Sequence, residues 1–71
     1  MWFVVKRIEL VDGVVVDDYT IRNRFPSRAD AESEAGRLAR EAGVALYNSA
    51  HGYFLVVEAD RAIRFVPVPL S

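Results

Sequence analysis

Cysteine is absent from this sequence of 71 residues, and histidine occurs once, at His51. The absence of cysteine excludes disulfides and thiolate metal ligands, and a single histidine excludes a histidine-rich metal cluster. No serine lies in a G-x-S-x-G motif, and the glycines are isolated rather than grouped as in a phosphate-binding loop. We therefore predict that the protein is not an enzyme, that it holds no metal or cofactor, and that His51 is a turn residue.

Long apolar runs and a surplus of one charge are also missing. Charged residues interrupt every apolar run well before the ~20 residues that cross a bilayer. Lys6 and Arg7 follow a short apolar start, whereas a signal peptide has its positive charges first. Nine basic residues stand against ten acidic ones, for a formal net charge of −1, so the basic footprint of non-specific nucleic-acid binding is absent. We expect no membrane segment and, because a chain without cysteine suits a reducing compartment, a cytoplasmic location.

Apolar residues make up 52% of the sequence and charged residues 27%, and the mean hydropathy is +0.11. This composition predicts a packed globule, formed by one domain over residues 1–71. A chain this short buries only about 60% of its unfolded surface, and many such domains need a disulfide, a metal or a second subunit. Of these three, the composition leaves self-association open.

Two segments rich in β-branched and aromatic residues, 2–11 and 14–25, flank Asp12-Gly13 and predict a β-hairpin. Asp-Gly favours a two-residue type I′ turn, in which the numbers of facing residues sum to 25. This register places Arg7 opposite Asp18 as a cross-strand ion pair. It also places Asp17 on the supposed core face, which predicts a β-bulge there or the fading of the strand at that end.

Pro26 ends the second strand, because proline has no N–H for a ladder, and Ser27 is a good N-cap. Residues 28–42 then carry an amphipathic stripe made mostly of alanine, with acidic residues early and arginines late, as the helix dipole favours. Gly43 is the expected stop of this helix. An alanine stripe allows a helix to lie close to a sheet, and Gly36 within the helix predicts the close approach of a bulky side chain or a second chain.

Three further segments with strand composition follow the helix. Residues 44–50 and 53–58 form a second predicted hairpin around His51-Gly52, and residues 62–68 follow another turn. We predict an α+β fold, with an antiparallel sheet of four to five strands (β-β-α-β-β-β) and one amphipathic helix packed on one face. The two prolines of the last segment cannot donate to a ladder, so this segment is predicted to be an edge strand.

Both faces of the first hairpin are apolar, although one helix can cover only one face of the sheet. The face expected to lack the helix carries an apolar patch, and exposed patches of this kind mark interfaces. We predict a two-fold homodimer whose protein interface is centred on Phe3, Val5, Val14 and Val16. The alternative is that the last strand, Ala62 to Val68, folds back over that face and gives a monomer.

Three arginines, Arg22, Arg24 and Arg28, surround Phe25 at the junction between strand and helix. Arginines beside an aromatic ring and a helix N-terminus can bind phosphates or an acidic partner, although strand alternation directs Phe25 to the face opposite Arg22 and Arg24. The favoured hypothesis is a self-associating protein-interaction module that binds an unidentified partner protein, for example as a phage or mobile-element inhibitor of a larger machine. The alternative is a nucleic-acid-binding module that uses the three arginines.

Between residues 24 and 55 the sequence resembles small uncharacterised bacterial and phage β-β-α-β-β proteins. The resemblance rests on Arg24-Phe25-Pro26-Ser27 at the end of a strand, a helix with Ala31 and Leu38-Ala39-Arg40-Glu41-Ala42-Gly43, and His51-Gly52 before an apolar strand. A similar F-x-[ST]-x-x-[DE]-A … A-x-x-x-G … G pattern occurs in that group. The resemblance implies a fold and a bacterial or phage origin, and it implies no catalytic residues.

Overall fold

A computed structural model describes residues 1–70 as one helix packed on a five-stranded antiparallel sheet. The elements in chain order are β1 (Trp2–Val11), β2 (Val14–Phe25), α1 (Arg28–Ala42), β3 (Ala45–Asn48), β4 (Tyr53–Glu58) and β5 (Arg61–Leu70). The strand order across the sheet is β2-β1-β5-β4-β3. The α+β class and the order of elements along the chain are therefore confirmed.

The first hairpin turns at Asp12 and Gly13, as the Asp-Gly pair predicts. Their φ angles of 51° and 78° are both positive, as a type I′ turn requires. The predicted sum of 25 holds only next to the turn, because the register shifts between Glu9 and Leu10. Beyond the shift the sum is one higher, so that Glu9 faces Asp17. The irregularity predicted around Asp17 is therefore present.

The shift changes the partners of the charged residues in the hairpin. Arg7 faces Tyr19, with its Cζ 5.7 Å from the ring centroid, and the predicted pairing of Arg7 with Asp18 is wrong. Asp18 binds Lys6 instead, with 3.1 Å between Lys6 Nζ and Asp18 Oδ1. The physical reason is that one extra residue in a strand moves every later side chain to the other face of the ladder.

β5 lies inside the sheet, between β1 and β4, so the prediction that it is an edge strand is wrong, and it does not fold over a sheet face. It pairs with β1 along its whole length, but with β4 only as far as Phe65. Pro67 and Pro69 lie beyond that point, where β5 forms no pairs on the side away from β1. The backbone N–H that each proline lacks would point to that side, so no ladder hydrogen bond is lost. This is how an inner strand accommodates two prolines.

The helix α1 begins and ends at the predicted caps. Ser27 Oγ accepts a hydrogen bond from the backbone N–H of Asp30 at 3.1 Å, and the N–H of Gly43 donates to the Ala39 carbonyl at 3.0 Å. Ala31, Ala35 and Ala39 of the predicted stripe are fully buried against the sheet, whereas Ala42 at its end is exposed. No helix formed by residues 1–70 combines the length and the apolar character that a membrane span needs.

Large side chains of the sheet fill the space that the small side chains of α1 leave. Gly36 is the site of close approach that its position predicts, since a Cβ there would lie 3.0 Å from the ring of Phe54. The buried cluster comprises Val5, Ala31, Ala35, Ala39, Val56, Ile63 and Phe65, with Phe3, Ile21, Phe25, Leu38, Ala45 and Phe54 packed against it. The main core is therefore the layer between the helix and one face of the sheet, while Val4 and Leu10 are also buried, on the opposite face.

The helix covers the face of β1 that carries Phe3 and Val5, so the prediction that these residues lie on the uncovered face is wrong. Val5 is 0% exposed and belongs to the core. An alanine stripe needs bulky partners, and the aromatic rings of Phe25, Phe54 and Phe65 all pack on this side. The choice between two apolar hairpin faces thus depends on side chains of the later strands.

Candidate functional site

The face of the sheet opposite α1, here termed the open face, is mainly apolar. Its centre is formed by β1, β5 and β4, because β2 and β3 are the edges of the sheet. Strand alternation places on it Trp2, Val4, Lys6, Ile8 and Leu10 of β1, Ala62, Arg64, Val66, Val68 and Leu70 of β5, and Tyr53, Leu55 and Val57 of β4. A sheet face that contacts only water normally alternates to polar residues. This face does not, and it is therefore a candidate binding surface.

Arg64 lies in the middle of the open face. It is on the inner strand β5, directly between Ile8 of β1 and Leu55 of β4. Its Cζ is 5.4 Å from the centroid of the Tyr53 ring, in a cation–π contact. A shallow hollow of about 460 Å³ is lined here by Ile8, His51, Tyr53, Arg64 and Val66. A cationic hydrogen-bond donor thus lies in a largely apolar depression.

The turn between β3 and β4 fixes one wall of this hollow. Asn48 Nδ2 donates to the Tyr53 hydroxyl at 3.2 Å, and Asn48 Oδ1 accepts from the backbone N–H of His51 at 3.1 Å. Gly52 supplies the positive φ of 72° that the turn requires. The His51 ring stacks beside the Tyr53 ring, with 6.2 Å between centroids. His51 is therefore in a turn, as predicted, and the ring that contacts Arg64 is held in place by its neighbours.

Arg64 has no carboxylate partner among residues 1–70, since none of the ion pairs in this part of the chain includes it. Lys6, a second cation of the open face, is held by Asp18. The N–H groups of Arg64 are thus available to an external anion. A guanidinium group binds a carboxylate through two parallel hydrogen bonds, which fixes orientation as well as charge. The hollow is suited to a ligand that combines apolar surface with one anionic group.

The structure separates the four residues of the predicted protein interface. Phe3 and Val5 pack in the core, whereas Val14 and Val16 are 63% and 56% exposed on β2. Val14 follows the hairpin turn, and Val16 lies at the register shift between β1 and β2. The four residues therefore do not form one surface.

The three arginines of the predicted nucleic-acid site are not brought together either. Arg22 and Arg24 are exposed on β2, at one edge of the sheet. The Arg28 side chain is directed toward the turn before β4, where its Nη2 and the Glu32 carboxylate lie 3.2 and 3.7 Å from the position of a Cβ on Gly52. β1 and β5 separate β2 from β4. The Arg28 side chain thus lies toward the β4 side of the sheet, beside an acid, whereas the other two arginines are on the β2 edge.

Arg64 and Tyr53 were not identified from the sequence pattern. A signal exists for Arg64, because it is the one charged residue in the apolar segment 62–68. Its significance depends on the inner position of β5, since an arginine on an edge strand is an ordinary solvated charge. Its neighbours Ile8 and Leu55 are brought to it by pairings between segments that are distant along the chain.

Comparison of the chain with protein-family models, with curated proteins and with solved structures gives no match. The resemblance to bacterial and phage β-β-α-β-β proteins therefore stays a prediction. Within residues 1–70, no group of three or more histidine, aspartate or glutamate side chains is placed to hold a metal ion. A function for this chain has to be inferred from the geometry of the open face.

Proposed function

We propose that this chain is a protein-interaction module without catalytic activity, and that its open face binds a partner segment that offers apolar side chains and one carboxylate. The observation that carries the proposal is the position of Arg64, which lines a hollow together with Ile8, Val66 and the rings of His51 and Tyr53 and has no carboxylate partner among residues 1–70. A purely apolar occupant would bury an unpaired charge, which costs several kcal/mol. The complementary occupant brings an anion to Arg64 together with its apolar surface.

A second copy of this chain, stacked open face to open face, is a poorer fit than a different protein. Each open face brings the cations Lys6 and Arg64, and the nearby carboxylate of Asp18 already binds Lys6. Two such faces would enclose an excess of positive charge in an apolar layer, which opposes association. We therefore assign the open face to an acidic, apolar segment of another protein.

Selection of peptides from a random library against the chain tests this assignment. The enriched peptides should combine apolar side chains with an aspartate or a glutamate. A synthetic copy should shift the backbone amide signals of Ile8, Leu55 and Arg64 in NMR spectra. Replacing its carboxylate by the amide should weaken binding about tenfold or more, because a hydrogen bond to a charged group contributes about 1.5–3 kcal/mol.

Two arginine variants of the chain provide a matched comparison. Arg64→Gln should weaken binding of the acidic peptide by a similar factor. Arg61→Gln should not, since Arg61 is on the same strand but the opposite face, where it binds Glu9 at 3.2 Å. Equal effects of the two variants, or peptides that shift only the signals of α1, would contradict the proposal. Salt-dependent binding of a single-stranded oligonucleotide to the open face, with no binding of peptides, would favour the nucleic-acid alternative instead.

A further inference from the structure

β2 is a long edge strand, and no strand formed by residues 1–70 pairs with its outer side. It has 12 residues and no proline, whereas β3, the opposite edge of the sheet, has 4 residues. The residues from Val14 to Thr20 are exposed. An edge strand of this kind presents a row of unpaired N–H and C=O groups to any strand that can align with it. The outer side of β2 is thus a second candidate interaction surface, distinct from the open face.

The unpaired backbone groups are regularly spaced over residues 17–21. Here β2 pairs with β1 without interruption, and the two register shifts of the hairpin lie on either side of this stretch. Alternate residues of an antiparallel ladder direct their N–H and C=O groups toward the neighbouring strand. Counted along β1 from the pair Val11–Val14 at the tight turn, the residues that direct these groups toward β2 include Glu9 and Arg7. Their partners beyond the register shift are Asp17 and Tyr19, so the groups of Asp18 and Thr20 point away from β1.

The charges of β2 make the strand complementary to itself. Asp17 and Asp18 precede Thr20, and Arg22 and Arg24 follow it. When two β2 strands run antiparallel about a two-fold axis at Thr20, Asp18 of each copy faces Arg22 of the other. Registers centred on Asp18 or on Arg22 would place like charges opposite each other, which is destabilising. The charge pattern thus favours a second copy of this chain as the partner of the β2 edge, and it favours the register centred on Thr20.

We infer that two copies of this chain associate through β2, in an antiparallel pairing centred on Thr20 with Asp18 of each copy opposite Arg22 of the other. The two sheets then form one continuous sheet. Lys6 Nζ lies 3.1 Å from Asp18 Oδ1. This ion pair keeps the Asp18 carboxylate on the same side of the sheet as the open face. The two-fold axis is perpendicular to the sheet, so both open faces point the same way and both Arg64 hollows stay accessible. A partner with two acidic segments would bind both hollows at once, with a gain in avidity.

Light scattering and sedimentation equilibrium of charge variants test the pairing. The unaltered chain should form a dimer of about twice its 8.0 kDa. Asp18→Arg and Arg22→Asp should each weaken self-association about tenfold or more, because like charges then face each other. An equimolar mixture of the two variants should associate again, because every facing pair in the mixed dimer joins opposite charges. Arg40→Asp on the exposed side of α1 changes the net charge as Arg22→Asp does and should leave association unchanged.

Thr20→Cys supplies a second measurement in a chain that has no cysteine. The introduced thiols meet at the two-fold axis and should oxidise to a disulfide-linked dimer, whereas those of Val15→Cys, away from the axis, should not. A chain that stays at 8.0 kDa at every concentration, or a mixture of the two charge variants that does not associate, would overturn the inference. Arg64→Gln leaves β2 intact, so loss of peptide binding and loss of self-association are measured separately.

Discussion

Gly43 places its α-carbon against the core at the end of α1. A Cβ at this position would lie 2.8 Å from Val56 Cγ1 and 3.3 Å from Glu58 Oε1. Val56 is 1% exposed, and its short branched side chain moves aside less easily than the end of a long flexible one. The φ of Gly43 is 166°, which is extended backbone open to any residue. The requirement for glycine is therefore steric and comes from the packed interior.

Gly43→Ala should lower the free energy of unfolding by about 1–3 kcal/mol, because the added methyl group overpacks the contact with Val56. Denaturant unfolding followed by circular dichroism measures this. The same substitution in a Val56→Ala background should have a much smaller effect, since Cγ1 is then absent. Val44→Ala, at a neighbouring exposed residue, should change stability by no more than about 0.5 kcal/mol. A Gly43→Ala chain as stable as the parent would show that the core yields at this point.

The structural role of a single residue could be predicted where its neighbours along the chain indicate that role. The distant residues that it contacts could not be predicted. Gly36 within the helix predicts a close approach and Gly43 directly after it predicts a stop, and both are present. The side chains that approach them, Phe54 and Val56, come from β4, on the far side of a turn and a short strand. Arg64 is a comparable case, since its apolar surroundings arise from strand pairings and not from adjacent residues.

The helix α1 carries an ion network on its solvent side. Arg37 donates to both carboxylate oxygens of Glu34, from Nε at 2.8 Å and from Nη2 at 2.7 Å, and it also contacts Glu41. The hydrogen bond from Arg37 holds the pKa of Glu34 below its ordinary value, against the opposing effect of partial burial. The hydrogen bond to Glu34, with the charges of both carboxylates, raises the pKa of Arg37.

Because the folded-state pKa of Glu34 is lowered, its ionised form stabilises the folded chain. This contribution is fully present above the ordinary glutamate pKa of about 4.3 and is lost as the pH falls through the lowered folded-state pKa. Glu34→Gln should therefore lower the free energy of unfolding slightly at pH 7 and have no effect at pH 2. In an Arg37→Gln background the substitution should lose most of its pH dependence. Urea unfolding across this pH range measures the effect of Glu34→Gln in the parent chain and in the Arg37→Gln background. If the effect on the free energy of unfolding in the parent chain grew toward low pH, the expectation would be wrong.

The elements themselves were accessible from the sequence because each has local start and stop signals, such as Asp12-Gly13, Ser27 and Gly43. The place of β5 in the sheet was not, since it is set by pairing with segments far away in the chain. Pro67 and Pro69 indicate a missing ladder, and from the sequence alone they predict an edge strand. The ladder is missing only because β4 pairs no further than Phe65. A proline thus indicates that a ladder hydrogen bond is absent at its own position. It does not show whether the whole strand lies at the edge or inside the sheet.

At the scale of the molecule, one helix has to select one of two apolar sheet faces. The extra residue at the register shift in β2 exchanges the faces of the later part of that strand, so that Ile21 joins Val5 on the helix side. The bulky residues Ile63 and Phe65 lie on the same side. Together they fill the space above the alanine stripe, and the cations Lys6 and Arg64 are left on the open face. The selection of a face is therefore also what creates the candidate binding surface.

Val5 and Val16 lie on one face of a regular hairpin, but the structure gives them different energetic roles. Val5→Ala removes two methyl groups from a site that is 0% exposed, and it should lower the free energy of unfolding by about 2–3 kcal/mol. Val16 is 56% exposed, and Val16→Ala should change stability by no more than about 0.5 kcal/mol.

For a domain of this size the total stability is on the order of 4–10 kcal/mol, so Val5→Ala should lower the urea midpoint visibly and Val5→Asp should prevent folding. Circular dichroism in urea measures the alanine variants, and the NMR spectrum without denaturant reports the state of Val5→Asp. If both alanine variants instead had small and equal effects on stability and Val5→Asp stayed folded, then Val5 would lie on a surface. In that case α1 would cover the other face of the sheet, and Arg64 would be beneath the helix rather than open to a partner.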